Sequence, residues 1–151
     1  MSTRERIDQD FTSAVKAREA FVVSVLRMLR SSMKNAEIAK MSELTEDEII
    51  DVVGKEVKQI KDSLDSFEKA GRDDLAEKAR QELEVLHKYL PEQLSEDALR
   101  ELVKQAIAEL GEVTPADFGK VMSAVMQAAK GKAEGAQVSA IVKEELSHTS
   151  S

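Results

Sequence analysis

The sequence predicts an all-α protein, and three observations predict it. Ala, Leu, Glu, Lys, Gln and Met are abundant, Gly and Pro number only 6 and 2, and apolar residues recur three and four positions apart along most of the chain. Such a composition is poor for sheets, which favour β-branched and aromatic residues. At 151 residues and 42% hydrophobic content, the chain can bury a core as one ordinary domain or two small ones.

The elements follow in order. Ile7, Phe11, Ala14 and Val15 mark a first helix, and after Ala17-Arg18-Glu19 a second stripe runs through Val22, Val25, Leu26, Leu29, Met33 and Ala36. Periodicity lapses at Met41-Ser42-Glu43. Thr45 and Glu48 then have the spacing of a capping box, with Leu44 and Ile49 as its hydrophobic staple. The third helix carries Ile49, Val53, Val57, Ile60, Leu64 and Phe67 and stops at Gly71, which takes a left-handed conformation without steric cost. Asp73 is placed to cap a fourth helix with Leu75, Ala79, Leu83, Leu86 and Leu90 inside, ended by Pro91.

Beyond Pro91, Ser95 caps a helix with Leu99, Leu102, Val103, Ala106, Ile107 and Leu110 buried, closed by Gly111. Thr114 at the cap and Pro115 at the first helical position open the next, expected to continue to Lys130 with Phe118, Val121, Met122, Val125 and Ala129 inside. Val138, Ile141, Val142 and Leu146 mark the last helix, and the polar end His148-Thr149-Ser150-Ser151 is expected to fray. The expected organisation is a four-helix part over residues 1–91 and a three-helix bundle over 92–151, with Tyr89 to Ser95 as the junction.

Charge and composition narrow the function. The net charge is −7; residues 1–91 hold 16 basic against 19 acidic side chains, and residues 92–151 hold 6 against 10. Neither half grips nucleic acid by bulk charge, so any RNA contact must use a local patch. With no cysteine, thiol catalysis and disulfides are excluded, which fits a reducing compartment. The N-terminus lacks an apolar leader and no segment reaches the ~20 apolar residues of a membrane span, so a cytoplasmic, membrane-free protein is expected.

No catalytic constellation is readable, and the chain is expected not to be an enzyme. His87 and His148 are the only histidines and belong to no nucleophile motif. Glu46, Asp47 and Glu48 are explained by helix-start electrostatics. Neither a phosphate-binding loop nor a metal-ligand cluster is present, so no cofactor and no metal are expected. One Tyr, four Phe and no Trp, mostly at core spacing, argue against a stacking platform.

Local basic chemistry remains. Arg27, Arg30 and Lys34 lie three and four apart on the second helix, and Lys120, Lys130 and Lys132 neighbour Gly119 and Gly131. Solvated lysines are the plain alternative. Gly119 is an unusual choice inside a helix, where it costs ~1 kcal/mol against Ala. Either close helix packing or the approach of a ligand backbone beside Lys120 would account for it.

Several blocks resemble the YqeY proteins and the C-terminal tail of the GatB amidotransferase subunit over nearly the whole chain. They are Lys34-Asn35-Ala36-Glu37-Ile38, Lys58-Gln59 with Lys61-Asp62-Ser63 and Phe67, Ala70-Gly71-Arg72, and Tyr89-Leu90-Pro91-Glu92-Gln93-Leu94-Ser95. Gly119-Lys120-Val121-Met122 and Lys130-Gly131-Lys132-Ala133-Glu134-Gly135 complete the pattern. The chain departs at Glu134, where the family's turn usually has Asp, and at Met41-Ser42, where a basic residue and Gly are common. The resemblance implies helical N- and C-terminal parts and a link to tRNA. GatB belongs to a glutamine-dependent carbon–nitrogen ligase, yet this chain is similar to its tail and not to its catalytic domains. The expectation is a stand-alone tRNA-binding accessory module using Gly119, Lys120, Lys130, Gly131 and Lys132, with Arg27, Arg30 and Lys34 as a second patch. A tRNA-charging or amidotransferase protein is the expected partner, and a protein-interaction adaptor without a nucleic-acid role is the alternative.

Overall fold

The computed structural model describes residues 1–149 and is all-α, as predicted. Its seven helices among these residues are α1 (Thr3–Lys16), α2 (Ala20–Lys40), α3 (Glu46–Lys69), α4 (Asp73–His87), α5 (Glu96–Leu110), α6 (Phe118–Ala128) and α7 (Gly135–Thr149). They form two compact units, Met1–Leu90 and Pro91–Ser151.

In the first unit, buried Ile7, Leu26, Leu29, Ile49, Val53 and Leu86 form a core drawn from all four helices. Local chemistry sets the corners. Ser2 and Glu5 make a capping box on α1. The predicted box on α3 is present: Glu48 N–H donates to Thr45 Oγ1 (3.2 Å) and Thr45 N–H to Glu48 Oε1 (3.0 Å). Gly71 closes α3 at φ 70°, where its N–H donates to Glu68 O (3.1 Å) and Arg72 N–H to Phe67 O (2.9 Å). That pairing satisfies carbonyls the helix leaves open. Arg18 does the same after α1 at φ 60°, with Glu19 N–H donating to Ala14 O (3.0 Å).

Polar ties join the helices. Glu46, at the start of α3, accepts from the backbone and hydroxyl of buried Thr3. Tyr89 is buried just past α4 and donates its hydroxyl to Asp10 Oδ2 (2.6 Å), while Arg6 lies over its ring and donates to Lys88 O (2.7 Å). Burial first, and then the hydrogen bond to Asp10, push the Tyr89 hydroxyl well above the ordinary range.

The second unit packs Leu99, Val103, Val121, Val125, Val138 and Val142 from its three helices into a separate core. Ser95 caps α5 as predicted, accepting from Ala98 N–H (3.1 Å). Arg100 bridges α5 to α7 through Glu145 (2.9 Å) and Glu144 (3.1 Å).

Four expectations need correction. Asp73 is the first residue of α4 and not its cap; Arg72 holds the cap position without a side-chain hydrogen bond. The helix expected over Thr114 to Lys130 is divided: Thr114 caps a 3₁₀ turn over Pro115–Asp117, and α6 begins only at Phe118. Val15 and Leu110, assigned to apolar stripes, are about half exposed. The end expected to leave the helix at His148 is helical as far as Thr149; Ser150 and Ser151 lie outside the described residues.

Candidate nucleic-acid interface

Helix α2 is where positive charge collects. It carries Arg27, Arg30, Lys34 and Lys40 against Glu37 alone. By contrast α1 balances three cations with three carboxylates, α3 sets four against eight, and α4 sets two Lys/Arg side chains against five. The core side of α2 is fixed by Val25, Leu26, Leu29 and Met33. Helical geometry therefore turns Ser24, Arg27, Ser31, Lys34 and Asn35 outward, and all five are exposed. This outward strip holds no carboxylate.

An open groove of about 540 Å³ runs between α1 and α2, lined by Arg4, Arg27, Arg30 and Lys34 and by Asp8 and Glu37. Its two carboxylates are engaged: Glu37 Oε2 lies 3.1 Å from Arg4 Nη2, and Asp8 Oδ1 lies 3.2 Å from Arg30 Nε. The Arg4 contact is ionic only, since that buried nitrogen makes no hydrogen bond. Arg27 and Lys34 have no acidic partner among the described residues. Neither is held in an ion pair, and such cations can meet a phosphate without first breaking one.

Sequence reasoning missed Phe11 as part of this site. Its helical spacing assigned it to the core, and it does pack against the core's edge. It also lines the groove, where the Arg30 guanidinium lies 4.3 Å from its ring centroid. Only the pairing of α1 with α2 brings these residues together, so spacing along one helix held no signal for it.

The second candidate patch is less compact than its sequence suggests. Lys120 lies in the first turn of α6 and is 77% exposed, 3.9 Å from Asp117. Lys130 and Lys132 follow the helix end, so roughly 15 Å of helix rise separates them from Lys120. The turn at residues 130–132 is tied by hydrogen bonds to the segment before α5. Gly131 sits at φ 74°; its carbonyl accepts from Gln93 Nε2 (2.8 Å), and that of Lys132 accepts from Leu94 N–H (2.8 Å). Lys132 is exposed beside a shallow groove with Gln93 and Ser95. Gly119 is exposed, and an added Cβ would meet nothing within 4 Å, so close packing does not account for this glycine.

Other candidates give no site. His87 is exposed at the end of α4. No group of three or more His, Cys, Asp or Glu side chains suited to a metal occurs among the described residues, and no helix there is long and apolar enough to cross a membrane.

Comparison with known proteins gives this arrangement a family. The model for Yqey-like proteins matches residues 4–146. A protein of Pyrenophora tritici-repentis named "Altered inheritance of mitochondria protein 41, mitochondrial" is 29% identical over 130 residues, covering 85% of this chain and 71% of that protein. Its namesake in Candida glabrata is 40% identical over 88 residues, 57% of this chain and 48% of the relative. An uncharacterised protein of Schizosaccharomyces pombe is 30% identical over 89 residues, 59% of this chain and 72% of its own length. The chain thus spans about half of some relatives and nearly three quarters of others. Because the family match takes in both helical units and nearly every described residue, the chain belongs to the YqeY-like family.

Proposed function

We propose that the protein is a non-enzymatic, tRNA-binding accessory module. Its contacts are Arg27, Arg30 and Lys34 of α2 and the basic positions around α6 (Gly119, Lys120, Lys130, Gly131, Lys132). One observation carries this reading: in a chain of net charge −7, α2 sets four cations against one carboxylate and presents an acid-free outer strip. Solubility alone does not call for such segregation; phosphate binding does. The family's resemblance to the GatB tail supplies tRNA as the RNA class and a tRNA-charging or amidotransferase protein as the partner. Carbon–nitrogen ligase chemistry would then reside in that partner. The compartment is part of the proposal: a cytoplasmic location suits the cysteine-free sequence, whereas the relatives' names place those proteins in mitochondria.

The test is a titration of wild type and the Lys120→Ala/Lys130→Ala/Lys132→Ala variant with total tRNA at low and moderate salt. Few phosphate contacts give loose binding whose affinity falls with salt by a slope of ~0.7–0.9 per phosphate neutralised. The variant should show a flatter slope with unchanged helicity. Identical curves for the two proteins would remove the C-terminal positions from the interface. Absence of tRNA binding at low salt, with a protein partner retained at moderate salt, would establish the adaptor alternative, because apolar contact resists screening.

A further inference from the structure

The α1–α2 groove contains more than charge. Arg30 is held at both sides: Asp8 fixes its Nε from α1 at 3.2 Å, and the Phe11 ring lies under its guanidinium at 4.3 Å. The side chain is nevertheless 43% exposed. The guanidinium is packed on the ring, and Arg30 and Phe11 both line the groove. Stacked on an aromatic ring, a guanidinium gives up less freedom on binding a second flat group than a mobile one does.

Arg27 and Lys34 flank Arg30 at three and four residues, the spacing that puts side chains side by side on one helix surface. They stand about 10 Å apart along the axis, and Ser31 lies between them on the strip. A planar cation on an aromatic floor, with one unpaired cation on each side, matches a flat ring bearing a phosphate on either flank. A simple anion would need the charges and not the stacked plane.

We propose that this groove holds one unpaired nucleotide of an RNA strand, its base stacked on the Arg30 guanidinium and its flanking phosphates on Arg27 and Lys34. The inference rests on the tRNA-binding reading and adds to it a position where a single base is taken out of the strand. Duplex bases are stacked and out of reach, so the nucleotide must come from a loop, bulge or end. Asp8 and Phe11 are positioning residues: they set the plane of Arg30 and leave the phosphate contacts to the free cations.

The experiment uses the full chain, labelled for NMR of arginine side chains and aromatic rings. It is titrated in turn with inorganic phosphate, adenosine monophosphate, a short oligoadenylate and a glutamate-rich peptide at matched ionic strength. Both adenine ligands should shift the Arg30 Nε–H signal by ring current, while phosphate should perturb only the neighbourhood of Arg27 and Lys34. Arg30→Lys keeps the charge and removes the plane, and should weaken oligoadenylate about fivefold or more, the scale of removing one base stack. Arg27→Ala/Lys34→Ala should flatten the salt dependence while the ring-current shift persists at high ligand concentration.

Adenosine monophosphate acting no differently from phosphate, wild-type affinity for oligoadenylate in Arg30→Lys, or equal affinity for the peptide would each overturn the pocket. Failures of the two readings are separable. Adenine binding at Arg30 without tRNA binding sinks the tRNA reading and keeps the pocket. Tight tRNA binding that Arg30→Lys leaves unchanged sinks the pocket alone.

Discussion

Glu48 shows how one side chain can serve two elements. It closes the α3 capping box with Thr45 and also receives the Lys40 ammonium from the last turn of α2. The hydrogen bond from Lys40, helped by those from Thr45, lowers its carboxyl from 4.5 to about 2. A depressed carboxylate stabilises the fold above its unfolded pKa and loses that contribution as pH falls through the folded one. Wild-type Glu48 should therefore titrate near pH 2, and Lys40→Ala should move its midpoint upward and bring acid unfolding to higher pH; carboxyl-detected NMR reads both. Arg100 is the counterpart in the second unit, held above its usual pKa first by Glu145 and then by Glu144. Arg100→Ala should lower the melting temperature of the second unit through loss of the α5–α7 bridge. The Thr45–Glu48 box was legible because it needs only a three-residue spacing. The Lys40 pairing was not, since it depends on the chain turning at Met41 with φ 66°.

Helix ends and helix glycines divide by conformation. Arg18 and Met41 hold left-handed positions, φ 60° and 66°, which cost a side-chain-bearing residue roughly 1–2 kcal/mol. Arg18→Gly and Met41→Gly should each raise stability by up to ~1 kcal/mol in thermal or denaturant unfolding, part of the gain being offset by the freedom glycine adds to the unfolded chain. Gly119 is the reverse case: it has no left-handed φ to satisfy and open space at its Cβ. Gly119→Ala should stabilise α6 by about 0.5–1 kcal/mol; weaker tRNA binding by the same variant would place a ligand backbone there. The helices themselves were readable from apolar periodicity, as were Gly71 and the Ser95 cap. The break after Asp117 was not, because Thr114 and Pro115 open a 3₁₀ turn and an α-helix with the same chemistry. Arg30 on Phe11 joins residues of different helices, a pairing that periodicity within one helix does not encode.

Across the chain as a whole, two cores and one exposed link set the behaviour. Tyr89 is tied to α1 through Asp10, whereas Gln93 and Leu94 are tied to the Gly131–Lys132 turn. Exposed Glu92 lies between these ties, and a glutamate-directed protease should cut after it before cutting within any helix. An earlier cut inside α3 or α5 would show that the link is better protected than those helices. Charge is likewise unevenly distributed, and the cations Arg27 and Lys34, held in no ion pair on a net-acidic chain, are the basis for the proposed RNA binding. The salt dependence of tRNA affinity is the sharpest test of that assignment, comparing wild type with a variant in which Arg27, Lys34, Lys120, Lys130 and Lys132 are all Ala. Wild type should show a clear negative slope of log affinity against log salt, and the variant a slope shallower by ~0.7–0.9 for each phosphate it no longer neutralises. Equal slopes in the two proteins, or no tRNA affinity in wild type at low salt, would overturn the assignment.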